Sequence, residues 1–165
     1  MSATHAVPPI DRRFYEDYPT GAVFEGGAIV VDEAEVLAFA RRYDPQSFHV
    51  DAEAAARSIY GGIIASGWHT AAMTMRVLVD GYLSSVASLG SPGVDELRWT
   101  LPVRPGDTLH VRITVVEARR SRSKPDRGIV RTLIETRNQR GEQVLSMKAM
   151  NLMLCRDPAP AADAR

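Results

Sequence analysis

The apolar pattern of this 165-residue chain changes its period at Gly90-Ser91-Pro92-Gly93. Before that turn, apolar residues recur at spacings of three and four, the pattern of a helix: Trp68, Ala71, Ala72, Met75, Leu78, Val79 and Tyr82. Met73 and Val77 add apolar residues outside this stripe, so we expect the rest of the fold to surround the helix. Ser66 is its predicted N-cap, and His69 falls on its polar side.

After the turn, apolar and polar residues alternate, which predicts strands. The alternating or mostly apolar runs cover residues 97–103, 109–115, 128–136 and 143–154. Because short turns and no helices separate these runs, we predict that they pair as an antiparallel meander. The fold class is therefore α+β, with an antiparallel sheet wrapped around a long central helix.

The segment before the long helix predicts one strand and two shorter helices. A strand covers 23–31 and is bulged or broken at Gly26-Gly27. Asp32, with Glu35 three residues later, predicts the start of a helix. That helix must end near Asp44, because the proline that follows disfavours helical geometry there. Asp51 can cap the second helix.

One domain is expected over residues 13–156, between a flexible arm at 1–12 and a flexible tail at 157–165. Lys plus Arg number 20, as do Asp plus Glu, so the zero net charge gives no reason to expect nucleic acid or an anionic membrane. The single cysteine, the lack of a signal-peptide pattern and the absence of an apolar run of ~20 residues predict a cytoplasmic protein. No cluster has the spacing of metal ligands.

Asp44 and His49 stand five positions apart across Pro45. Histidine can take and return a proton near neutral pH, and a water held between the two side chains would meet an acceptor and a donor. We expect His49 to lie in a loop that the proline fixes. The structural alternative is that the aspartate starts a turn and the histidine helps to cap a helix, and on spacing alone this is the more common case.

Ser66-Gly67 adds a second signal, because the first N–H groups of a helix lack internal partners and favour negative charge. Glycine at a helix start also lets a ligand approach the backbone closely. An ordinary cap and an ordinary tight fit are the alternatives here. Together with Asp44 and His49, this helix start favours a site that activates water and stabilises an enolate.

Asp44-Pro45-Gln46-Ser47-Phe48-His49, followed by Gly67, resembles the motif Asp-x-Asn-Pro-x-His of the MaoC-like dehydratases, the R-specific enoyl-CoA hydratases. The resemblance extends from Phe14-Tyr15-Glu16-Asp17 to the final strand. It includes the segments 61–67 and 102–107. It implies a single hot-dog fold.

The resemblance further implies that Asp44 and His49 hold and activate water, and that the Gly67 N–H binds the thioester carbonyl oxygen. The reaction would be reversible syn addition of water to a 2-enoyl-CoA, giving an (R)-3-hydroxyacyl-CoA. Coenzyme A would enter as part of the substrate, with no separate cofactor. Gln46 and Ser47 depart from the usual Asn and Pro of the motif.

Five further residues are candidates for substrate contact. Ser66 at the helix start is one of them. Phe48 and Trp68 could line an acyl pocket, although aromatic residues at such positions are more often simply core. Arg122 and Lys124 lie in a basic stretch that could contact the CoA phosphates, or could be a solvated hairpin.

Two other functions remain open at this point. A hot-dog acyl-CoA thioesterase would use Asp44 to drive hydrolysis at the carbonyl carbon and would release free CoA thiol. A non-catalytic acyl-CoA-binding subunit would bind without turnover. The resemblance also implies a homodimer or a dimer of dimers, since such domains usually complete the acyl-CoA site across the interface. A physical motive is that a sheet wrapped around one helix leaves open edge strands that a second copy could cover.

Overall fold

A five-stranded antiparallel sheet packs against one long helix in the computed structural model, which describes residues 7–158. The strands are β1 (Val23–Val30), β2 (Gly93–Trp99), β3 (Thr108–Arg120), β4 (Arg127–Arg137) and β5 (Gln143–Leu154). The helices are α1 (Glu33–Tyr43), α2 (Ser47–Val50), α3 (Ala52–Arg57) and α4 (Gly67–Gly81). Short 3-10 turns cover Ile10–Arg12 and Tyr15–Asp17. This arrangement confirms the predicted α+β class, with α4 as the central helix.

The predicted order of strands is wrong in one respect, because the sheet runs β1-β3-β4-β5-β2. β2 pairs with β5, with Trp99 opposite Leu145, and does not form a hairpin with β3. Pro102 and Pro105 in the connection to β3 have no N–H to donate to a ladder, which disfavours a hairpin there. β2 is therefore an edge strand.

The buried face of α4 also differs from the predicted stripe. Trp68, Met75 and Val79 are 60%, 45% and 47% exposed in the single chain. The buried face consists of His69, Thr70, Met73, Thr74, Val77 and Leu78. Threonine is tolerated there because its hydroxyl finds partners: the Thr74 and Thr136 hydroxyl oxygens lie 2.8 Å apart.

The predicted interruption of the first strand is confirmed as a β-bulge. The register of β1 against β3 shifts between Glu25 and Gly27, and Gly27 has a φ of +113°. At the bulge, β1 approaches the end of α4 so closely that a Cβ on Gly81 would lie 2.3 Å from the Gly26 carbonyl oxygen. The two glycines thus allow helix and strand to pack backbone against backbone.

Two predicted helix caps are confirmed in the segment that precedes the site. The Asp32 side chain accepts a hydrogen bond from the Glu35 N–H (2.9 Å), and Asp51 accepts one from the Ala54 N–H (2.9 Å). α1 ends at Tyr43, as the following Asp-Pro pair requires.

The predicted arm and tail are described only in part, since residues 1–6 and 159–165 lie outside the described range. Within the arm, the carbonyl oxygen of Ile10 accepts a hydrogen bond from the Ser85 N–H (3.0 Å). None of the helices within residues 7–158 combines the length and apolar character that crossing a membrane would require.

Candidate active site

A pocket of about 560 Å³ lies between α2, the first turn of α4 and the segment 99–103, which begins at the last residue of β2. Asp44, His49 and Gly67, the three residues predicted to be catalytic, all line it. Phe48 and Trp68 line it too. These residues come from the end of α1, from α2 and from the start of α4, so the chain between α1 and α4 forms one side of the pocket.

Asp44 is held at both carboxylate oxygens. The Ser66 hydroxyl donates a hydrogen bond to Oδ2 (2.7 Å), and the Gln46 amide donates one to Oδ1 (2.8 Å). The hydrogen bond from Ser66 is the main cause that holds the pKa of Asp44 below its usual value, partly opposed by burial and supported by Gln46 and by positive charge on His49. Asp44 is therefore a stable carboxylate at neutral pH.

His49 lies in the short helix α2 and not in a loop, which corrects the prediction. Pro45 ends the preceding helix, and the residues after it can begin a new helical turn. The Nδ1 atom of His49 lies 2.8 Å from the Ile64 carbonyl oxygen. Since a carbonyl can only accept, Nδ1 carries the hydrogen. Nε2 is then the nitrogen that can exchange a proton, and it lies 3.3 Å from Asp44 Oδ2.

Gly67 is the first residue of α4, where the backbone N–H groups have no partner inside the helix. A Cβ on this residue would lie 2.6 Å from the indole ring of Trp99. Trp99 in turn meets Trp68 edge-on, with ring centroids 5.1 Å apart. The two tryptophans therefore form a wall of the pocket beside the helix N-terminus.

The predicted substrate residues divide into two groups. Phe48 and Trp68 line the pocket, and Ser66 lies fully buried behind the Asp44 carboxylate. Arg122 and Lys124 instead lie in the connection between β3 and β4.

That connection is remote from the pocket within one chain. β3 begins beside the turn in which the Asp107 carboxylate accepts from the Arg104 N–H (2.8 Å), next to the pocket wall. The 13 residues of β3 then span about 40 Å before the connection is reached. Contact of Arg122 and Lys124 with CoA phosphates stays a prediction.

Sequence reasoning missed three contributions to the site. Gln46 departs from the usual residue of the motif, but its place two positions after Asp44 is a signal that favours contact with the carboxylate. The Ile64 carbonyl and Trp99 meet the site through tertiary contacts that no local pattern indicates.

Within the described range, no three or more His, Cys, Asp or Glu side chains lie close enough together to hold a metal ion.

The prediction for His69 is wrong, because the residue is only 6% exposed. Its ring stacks on Phe39 of α1, with centroids 4.7 Å apart and planes 11° from parallel. Its Nδ1 has no hydrogen-bond partner among residues 7–158. Burial lowers the pKa of His69, and the charge of Glu35 partly opposes this.

His69 is expected to make the fold sensitive to acid. Because its pKa is lowered in the folded state, the unfolded chain binds the proton more readily, and the free energy of unfolding should fall as the pH drops below about 6.5. His69→Leu should flatten this dependence in urea unfolding between pH 7.5 and 5.5. His110→Leu, at an exposed position of β3, should leave the slope unchanged. Equal slopes in all three proteins would contradict the prediction.

Comparison with known proteins supplies a family for this geometry. The family model described as a MaoC like domain matches residues 17–138. The chain is 44% identical to the MaoC-like dehydratase from Rhodospirillum rubrum, with a TM-score of 0.81 over 88% of this chain and 99% of the other.

Two further solved structures are similar. The R-hydratase PhaJ1 from Pseudomonas aeruginosa is 26% identical, with a TM-score of 0.70, covering 92% of this chain and 93% of its own. A conserved hypothetical protein from Mycobacterium tuberculosis with a double hot-dog fold is 18% identical, with a TM-score of 0.75 over 92% of this chain and 47% of its own. The last comparison bears on the fold alone, and it supports the predicted hot-dog fold.

Proposed function

Because this chain belongs to the MaoC-like domain family, we propose that it is a hydro-lyase that adds water reversibly to the double bond of a 2-enoyl-CoA thioester. The observation that carries the proposal is the Asp44–His49 pair, with Nε2 and Oδ2 3.3 Å apart, in one pocket with the first residue of α4. Similarity to a MaoC-like dehydratase and to an R-hydratase supports the same class of reaction.

In this proposal, His49 moves the proton and Asp44 orients the water. A neutral His49 offers an unprotonated Nε2 because Nδ1–H is engaged by the Ile64 carbonyl. Nε2 takes a proton from the water as its oxygen adds to C3 of the substrate. The carboxylate of Asp44 stabilises the imidazolium that forms, and its low pKa fits it to remain charged throughout.

The electrons of the double bond move onto the thioester oxygen as water adds. The Gly67 N–H at the start of α4 can donate a hydrogen bond to that oxygen, where the helix dipole also favours negative charge. His49 then returns the proton to C2, the enolate collapses to the thioester, and the histidine is neutral again. Delivery of the water oxygen and the proton from the same face of the double bond makes the addition syn, and similarity to the R-hydratase PhaJ1 supports an (R) configuration at C3.

The experiment that tests this proposal is incubation of the purified protein with but-2-enoyl-CoA. Loss of the conjugated thioester absorbance, with no free thiol released and an (R)-3-hydroxy product, is the expected result. Release of thiol in step with substrate loss would instead indicate a thioesterase. Saturable binding of the thioester with neither reaction would indicate a binding subunit and would reject the proposed activity.

We also propose that the active form is a homodimer. Trp68, Met75 and Val79 form an exposed apolar stripe along α4 at helical spacing, and β2 is an open edge strand. Exposed apolar helix faces and open strand edges are features that a second copy covers in symmetric oligomers.

The assembly can be tested at the α4 stripe. Val79→Asp should convert the dimer to a monomer in size-exclusion chromatography with light scattering, because it places a charge in the covered face. Val116→Asp is a matched control, since both valines are 47% exposed but Val116 lies on β3. Val79→Asp that stays dimeric, or a wild-type protein that is monomeric, would refute this interface.

A further inference from the structure

We propose that Gln46 is a positioning residue that fixes the orientation of the Asp44 carboxylate relative to His49. This inference deepens the proposed function and rests on it for its catalytic consequence. The side chain of Gln46 lies at the pocket, whereas Ser66 approaches the same carboxylate from the fully buried side.

The backbone of Gln46 is fixed between the acid and the histidine. Its N–H donates to the Asp44 carbonyl (2.8 Å), and its carbonyl accepts from the His49 N–H (2.9 Å). Pro45 further restricts the link to Asp44. Gln46 is thus held in a defined place relative to both reacting groups.

The side chain of Gln46 does not cap a helix, although its position in the chain would suggest that role. Gln46 is the N-cap residue of α2, yet its side chain makes no capping hydrogen bond. Its Nε2 instead donates to Asp44 Oδ1 at 2.8 Å. Local helix capping therefore does not account for this residue, whereas contact with the carboxylate does.

The two oxygens of Asp44 have different partners. Oδ2 receives the Ser66 hydroxyl and faces His49 Nε2, while Gln46 is the side chain that donates to Oδ1 among residues 7–158. Ser66 alone would leave the carboxylate free to rotate about its Cβ–Cγ bond. A second donor on the other oxygen fixes the plane of the carboxylate, which keeps Oδ2 directed at His49.

The first test uses the free protein and does not depend on turnover. The side-chain carboxyl carbon of Asp44 is titrated by carbon-13 NMR in the wild type, Gln46→Ala and Gln46→Glu. Loss of a donor to the charged form should raise the pKa of Asp44 in Gln46→Ala, and the added charge in Gln46→Glu should raise it further. Identical titrations in the three proteins would overturn the proposal.

Gln139 provides a chemically matched control. Its Nε2 donates to Asp107 Oδ1 at 2.9 Å, which reproduces the Gln–Asp pair outside the pocket. Gln139→Ala should leave the Asp44 titration unchanged. An equal shift in Gln139→Ala would show that the effect is a general response of the fold, and would also overturn the proposal.

The second test separates positioning from stability. Gln46→Ala should lower kcat about tenfold to a hundredfold with a much smaller change in KM, because the Asp44 carboxylate that it orients acts on the reacting water. The melting temperature should change little because the side chain is exposed. A wild-type protein without hydratase activity would reject the proposed function, while the NMR titration would still decide whether Gln46 positions Asp44.

Discussion

Replacement of Asp44 by asparagine is expected to lower kcat/KM for enoyl-CoA hydration by about 10²- to 10⁴-fold, the usual range for loss of a group that acts in proton transfer. The asparagine keeps the size of the side chain and can still accept from Ser66. It cannot carry the negative charge that faces His49 Nε2 at 3.3 Å. We therefore expect loss of kcat with a much smaller change in KM, measured in steady-state assays with but-2-enoyl-CoA.

Asp51→Asn is the control for this substitution. Asp51 caps α3 by accepting from the Ala54 N–H, and asparagine caps a helix about as well as aspartate. The activity of Asp51→Asn should remain within about twofold of the wild type. Replacing one good N-cap residue by another should change stability by only a few tenths of a kcal/mol. Full activity of Asp44→Asn would remove Asp44 from the mechanism.

Gly81→Ala is expected to destabilise the protein by about 1–3 kcal/mol, the usual cost of overpacking. In a helix, alanine is ordinarily more favourable than glycine by about 1 kcal/mol, so the expected sign is reversed. The reason is the contact between α4 and β1, where a Cβ would lie 2.3 Å from the Gly26 carbonyl oxygen. A backbone atom cannot move aside as the end of a side chain can.

Urea unfolding would measure this effect, with Gly62→Ala as the control. A Cβ on Gly62 would meet only the end of the Arg104 side chain, at 3.5 Å, and this glycine has no positive φ. Its substitution should leave the unfolding midpoint nearly unchanged. A Gly81→Ala protein as stable as the wild type would show that α4 and β1 can separate without cost.

The features that the sequence predicts correctly are those that depend on interactions between neighbouring residues. Pro45 ends α1, Asp32 and Asp51 start helices, and the glycines of β1 mark a bulge, because each acts on its own neighbours. The pairing of β2 with β5 depends on contacts between distant parts of the chain, and no local pattern encodes it.

The buried face of α4 could not be predicted because its apolar residues occupy more than one side. Periodicity finds an apolar stripe but does not distinguish a face against the sheet from a face open to a partner. Thr74 could be buried because Thr136 meets it, and His69 because Phe39 stacks on it. For the candidate site, the motif brought Asp44 and His49 together, but Trp99 reaches Gly67 only through the fold.

The two bonds of the Ser66 hydroxyl limit which residues can replace it. The same oxygen accepts from the Trp68 N–H (3.3 Å) as the cap of α4 and donates to Asp44 (2.7 Å). Asparagine and aspartate are equally good caps, but aspartate would place a second negative charge against Asp44, and both are longer than serine. Threonine is therefore the substitution at position 66 that we expect to preserve both bonds best, although helix stability alone would accept a wider choice.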